Sequence, residues 1–525
     1  MRRRALLGGL AVSLAAPAMA ADLRAQTLRF VPHQPLGWLD PSFWPFLATR
    51  THAHMVYDTL YGVDAAGQPQ PQMAEGHSVS ADGLTWRIRL RDELWFHDGA
   101  PVLARDCVAS IRRWGGHSMM GESLLDATQE LSAPDDRTIL FRLARRFALL
   151  PLALGDRGMQ VCAIMPATVV EGMDMEPLGE AVGSGPYRFL AAEYAPWGRA
   201  AYARCERYVP RRDGPASFLA GPRMAHFDRV EWLQMGDAEA TAAALRTGQV
   251  DWWELPPAAS HASLAAMPGV ALRVVDPAGF MGTLRMNHLN PPFNNPAVRR
   301  AVLRAIDQDA FMAAATGGSA HSPRRLAGFF SPGSPLAEAG GTAAFARPAD
   351  PAAAREAVAM AGQHGAPIVV LAAADLAATR AMGALAARLL EQLGFAVRLD
   401  LVPVRGLVAR LLRPQSAGAG GWSVVVGFWP GHDMWHPGGH RYLRATGRQG
   451  EVGWPNSEAL EAMRRAWLNA GTPEPQKTMA REIQEQGLAD LPYIPLGHWQ
   501  RPTAHRAELV GMREGFPLFW NLRRG

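Results

Sequence analysis

Three histidines recur at four-residue spacing late in the chain: His432, His436 and His440. On one helix they would share a face, where imidazoles can hold a metal ion or a metal chelate. The segment reads Trp429-Pro430-Gly431-His432-Asp433-Met434-Trp435-His436, and Pro437-Gly438-Gly439 follow. A proline and two glycines argue against one helix through all three. Histidines making ordinary hydrogen bonds are the competing expectation. Trp429 and Trp435, with Trp38, are suited either to stacking on a ligand or to packing in a core. Serine, histidine and aspartate are all present, but neither HExxH nor GxSxG occurs, and nothing in the sequence brings a nucleophile to a base. Gly183-Ser184-Gly185-Pro186-Tyr187 lacks the Lys-Ser/Thr that a phosphate-cradling loop needs, and reads as a structural turn. His97-Asp98 is open to reading as a catalytic or metal pair.

The elements that must position these groups are mixed. Thr85–Leu90, Thr138–Leu143 and Val230–Gln234 alternate as strands do. Ala238–Thr247, Pro296–Ala313, Leu376–Leu393 and Ser457–Leu468 carry helical apolar spacing. Gly394 stops the third of these helices, and Phe395–Leu399 follows as a strand. An α/β or α+β architecture is expected. Ser331–Ala353, rich in Pro, Gly and Ala, reads as a surface excursion.

Length and composition bound the function classes. The chain has 525 residues, 48% hydrophobic and 19% charged, which excludes a disordered, collagen-like or polytopic membrane protein. Lys+Arg is 53 against Asp+Glu 48, with Lys477 the only lysine. Residues 1–20 read as an export signal: Arg2, Arg3 and Arg4, an apolar stretch Ala5–Ala16, a Pro17 break, and Ala18-Met19-Ala20 for cleavage. Arg3-Arg4-Ala5-Leu6-Leu7 fits a twin-arginine pattern, with a general secretory signal as the alternative. Losing those three arginines lowers the net charge from +5 to +2. No basic stripe interleaved with aromatics remains, so no nucleic-acid partner is expected. A periplasmic location is. Cys107, Cys162 and Cys205 read as inert thiols, with a Cys162–Cys205 bridge as the alternative and no zinc site.

Met73–Trp114 is the most specific block. A turn at Ala81-Asp82-Gly83 leads into a strand, and Trp95-Phe96-His97-Asp98-Gly99 forms a second strand with a tight turn. Ala104-Arg105-Asp106 then opens a helix with an acid in its first turn. This resembles extracellular solute-binding protein family 5 of the ABC importers, the dipeptide, oligopeptide and nickel-binding group. Further matches follow in order: Leu39-Asp40-Pro41, Val56–Leu60, the Gly183–Tyr187 turn, Gly248-Gln249-Val250-Asp251, and Asn287 with Pro291–Arg299.

The resemblance implies an α/β fold of two lobes joined by crossing strands, with ligand enclosed in the cleft and an extra subdomain in the first lobe. The expected division is 21–72, 73–180 (the extra subdomain) and 181–279 for lobe I, 280–485 for lobe II, and 486–525 returning to lobe I. It also implies a non-enzymatic, cofactor-free monomer that captures a peptide or related small solute and delivers it to an inner-membrane ABC permease. A carrier of a nickel chelate or haem is the alternative cargo reading; a secreted hydrolase is the alternative of another class. Peptide-binding relatives keep an aspartate for the ligand ammonium near Asp433 and an arginine for its carboxylate near Arg380. The expected ligand contacts are therefore Asp433, Arg380, Trp429, His432, Trp435 and Trp38.

Overall fold

The computed structural model describes residues 26–173, 176–337 and 341–525, so the expected export signal lies outside the described residues. Among them, no helix is long and apolar enough to cross a membrane.

The alternation in Thr85–Leu90 is realised as Trp86, Ile88 and Leu90 turned inward and Arg87 and Arg89 outward. The strand lies in a four-stranded antiparallel sheet ordered Ala74–Val79, Thr85–Leu90, Thr138–Leu143, Thr128–Asp135. Helix Ala104–Gly115 packs on this sheet. Its Asp106 accepts from the Leu103 and Ala167 N–H groups, both at 2.8 Å, so the first-turn acid is a cap as well as a dipole partner. Trp95–Gly99 does not form the expected strand and makes only an isolated bridge, Trp95 to Pro101. The Asp98 carboxylate accepts from Ala100 N–H at 2.9 Å and folds the segment into a turn instead. His97 then pins the Gly183–Tyr187 turn: its N–H donates to Gly183 O at 2.8 Å and its Nε2–H to Gly185 O at 3.0 Å. A Cβ on Gly183 would stand 2.0 Å from Val56 O, so only glycine fits this approach.

Two larger sheets form the lobes. The first has seven strands, ordered Val270–Arg273, Thr503–Arg506, Trp252–Trp253, Thr27–Val31, Arg229–Trp232, Ala200–Arg204, Tyr187–Phe189. The second has six, ordered Arg324–Arg325, Ile494–Trp499, Phe280–Met286, Val424–Pro430, Pro367–Ala373, Ala396–Val402. Helix Ala377–Gln392 makes the parallel crossover between Pro367–Ala373 and Ala396–Val402. The chain passes from the first sheet to the second through residues 274–279 and returns through 500–502. The return thus comes later than the expected residue 486, which lies inside helix Pro473–Asp490; Ile494–Trp499 still pairs with Phe280–Met286.

Pro296–Ala313 is two helices, Pro296–Arg304 and Gln308–Thr316. Asp307 ends the continuity by capping the second through Ala310 N–H at 3.2 Å. The three cysteines are free, Cys107 and Cys162 buried in the core and Cys205 half-buried, so the alternative bridge is not formed.

Candidate functional site

The strand Val424–Pro430 runs through the middle of the six-stranded sheet and delivers the histidine-rich loop to the first lobe. No single helix follows: Gly431–Met434 is one short 3₁₀ turn. The three histidines go to three different places. His432 Nε2 lies 2.9 Å from Asp276 Oδ1, and its ring stacks on Phe218 with centroids 5.4 Å apart. Burial lowers its pKa against the pull of Asp276, so the ring is neutral and donates Nε2–H. His436 Nε2 lies 3.0 Å from Asp156 Oδ1. Its Nδ1 accepts Gly439 N–H at 3.2 Å, which leaves the ring proton on Nε2 for the aspartate. His440 Nε2 sits 2.8 Å from Phe329 O and 3.1 Å from Tyr493 OH, and burial lowers its pKa to about 3.

Asp433 faces the first lobe. Its Oδ1 accepts Met159 N–H at 2.8 Å. Oδ2 stands 3.8 Å from Arg50 Nη1, and among the described residues it has no hydrogen bond. Burial pushes its carboxyl up to about 6, while Arg50 pulls the other way. Trp435 lies under the Arg157 guanidinium, 4.0 Å from the ring centroid. The loop is braced from behind by a segment expected to be a surface excursion. Ser331 N–H donates to Met434 O at 2.9 Å, and the buried Ser334 hydroxyl to Trp435 O at 2.6 Å. Loop and first lobe are thus joined by Asp433–Met159, His436–Asp156 and the Arg157–Trp435 stack.

Beside this joint, against both crossing segments, lies a cavity of ≈ 540 Å³, counting the part open to solvent. Leu47, Trp252, Phe280 and Phe516 supply apolar walls, and Arg50, Glu254, Asp276 and Arg501 supply charge. Arg50 comes from helix Leu47–Val56, nearly all of whose residues are buried, and its guanidinium lies 3.8 Å over the Phe516 ring. Glu254 Oε2 accepts from His33 N–H at 2.8 Å and meets His33 Nδ1 at 3.0 Å. Arg501 Nη2 donates to Leu255 O at 3.2 Å, and burial lowers its pKa to about 10, leaving it charged at neutral pH.

None of the six residues picked from sequence lines this cavity. Asp433 and His432 touch it at one remove, through Arg50 and Asp276. Trp435 belongs to the interlobe joint. Trp429 is half-buried against Tyr442, ring centroids 5.4 Å apart. Trp38 stacks on Trp44 and Phe46 at 4.8 and 4.5 Å, within an aromatic cluster of the first lobe. Arg380 is exposed and donates to Ala374 O at 3.0 Å, just ahead of its own helix. The cavity-facing arginines and acids carried no sequence signal beyond the Gly248–Asp251 motif close before Glu254.

A two-lobed body with a charged cleft at the crossing strands can be set against known proteins. The profile of bacterial extracellular solute-binding proteins, family 5 Middle, matches residues 68–447, more than half of the chain. The chain belongs to this family. It is 33% identical over 514 residues to a probable peptide ABC transporter periplasmic-binding protein, y4tO, of Sinorhizobium fredii, covering 97% of this chain and 94% of that one. Among solved structures it is similar to the periplasmic binding protein AgaA of A. tumefaciens R10 in complex with agropinic acid. There the TM-score is 0.79 at 20% identity, covering 95% of this chain and 99% of that one. It is likewise similar to DppA of Helicobacter pylori in complex with the peptide STSA, with TM-score 0.78 at 19% identity, covering 96% and 99%. The expected family and two-lobed α/β fold stand. The protein is a solute-binding component of ABC importers and not an enzyme, which removes the hydrolase alternative.

Proposed function

We propose that this family 5 protein works in the periplasm as a monomer, capturing a small zwitterionic solute and handing it to an inner-membrane ABC permease. A short peptide or an amino-acid-like compound is the solute class. The observation that carries this is the presence of two guanidiniums, the buried Arg50 and the half-buried Arg501, and two carboxylates, Glu254 and Asp276, around one apolar-walled cavity. Charges of both signs in a low-dielectric cleft favour a ligand that carries both and can bond to each. A relative described as peptide-binding agrees with this class. Asp433 and His432 serve it from behind, steadying Arg50 and Asp276. A nickel-chelate cargo finds no support in the dispersed histidines, and no group of three metal-ligating side chains comes together among the described residues.

Native mass spectrometry of protein purified gently from periplasmic extract tests the proposal. The expected spectrum shows an added small organic mass that is lost on denaturation. A haem or nickel-chelate mass would overturn it.

A further inference from the structure

Arg50 is deeply buried and Arg501 half-buried, and neither has the carboxylate partner that a guanidinium inside a protein ordinarily has. Arg50 is 1% exposed. Among the described residues its guanidinium makes one hydrogen bond, a long contact of 3.4 Å from Nη1 to Arg157 O, and Nε has no partner. Its nearest carboxylate oxygen, on Asp433, stands at 3.8 Å, beyond hydrogen-bond reach. Among the described residues the Arg501 guanidinium bonds only to backbone carbonyls, Leu255 O at 3.2 Å and Pro256 O at 3.5 Å. No described residue brings a carboxylate oxygen within hydrogen-bond distance of either group. The acids of the same cavity differ. Glu254 is held by His33, and Asp276 by His432 and Ala278 N–H. A cation held inside a protein with only weak carbonyl acceptors and no carboxylate is costly, and a ligand carboxylate that completes its bonding recovers that cost as affinity.

We infer that Arg50 and Arg501 form a carboxylate subsite in the interlobe cavity and that the solute enters with a free carboxylate seated between them. This rests on the solute-carrier function proposed above and adds which end of the solute is read and by which residues. A guanidinium fork matches a carboxylate bidentately, so an amide in its place loses both charge and geometry.

The test is calorimetry with alanyl-leucine, alanyl-glutamate and glycyl-phenylalanine, each as free acid and as C-terminal amide. At least one free acid is expected to bind, with its amide tenfold or more weaker. Arg501→Gln is expected to bring the acid down to the amide's affinity and leave the amide unchanged. Should Arg50→Gln fail to fold, Arg501→Gln carries the test alone, with circular dichroism confirming its fold. Equal binding of acid and amide, or equal loss of both in Arg501→Gln, overturns the subsite while leaving the carrier function standing. No binding by any peptide overturns the peptide-like cargo and the subsite together.

Discussion

The histidine-rich loop and the neighbouring cavity share a border, yet their polar groups are in opposite conditions. In the loop, His436 and His440 both find protein partners, and Asp433 is half satisfied by Met159 N–H. In the cavity, neither guanidinium has a carboxylate oxygen within hydrogen-bond distance among the described residues; the nearest to Arg50, on Asp433, stands at 3.8 Å. The loop's chemistry goes into joining the lobes; the cavity's remains available to a ligand. A cluster of reactive residue types therefore marks the closure joint here, and the binding groups lie on less conspicuous segments beside it.

Substitutions can break this contrast. The largest stability effect is expected for Asp156→Ala, which strips the acceptor from His436 Nε2–H and from the Arg157 N–H. Leaving those donors buried costs about 1–3 kcal/mol. Urea midpoints should fall, and small-angle scattering should show a more open particle. Because closure is shared by every ligand, acid and amide peptides should weaken alike, unlike in Arg501→Gln. Arg157→Ala, which removes the stack on Trp435, should act in the same direction by about 1–2 kcal/mol. If either variant discriminated acid from amide, the division between joint and cavity would fail.

Asp433→Asn should be milder at neutral pH, because the amide oxygen can still accept Met159 N–H. Its signature is in the pH dependence. The folded-state pKa of Asp433, about 6, lies above the unfolded value, so the folded protein takes up the proton first on acidification. Wild type should gain stability over Asp433→Asn between about pH 6 and about pH 4, with a constant difference above about pH 7. A difference that shrinks on acidification would show that Arg50, not burial, governs this carboxyl. The smallest effect is expected for Arg380→Ala: within about 0.5 kcal/mol in stability, and no change in peptide affinity. A tenfold loss there would move the carboxylate subsite to helix Ala377–Gln392.

The same contrast explains what the sequence made legible. Thr85–Leu90 and Ala377–Gln392 follow from periodicity, since each has one face inside and one outside. The glycines at 183 and 185 are legible as a turn because their backbone approaches Val56. Arg50 was not, because its helix is buried all round and has no polar face to set a guanidinium apart. Glu254 and Arg501 sit on short irregular segments near the crossing strands, where no period exists. The His432–His440 spacing suggested convergence that Pro437 and the following glycines prevent. The Ser331–Ser334 brace depends on a contact with Met434 and Trp435 that no local pattern encodes.

A crystal structure with a bound peptide tests the central claim most directly. Ligand density between Phe280 and Phe516, with its carboxylate on Arg50 and Arg501, is the predicted result. Density elsewhere, with the carboxylate on Arg380 or an ammonium directly on Asp433, would contradict it.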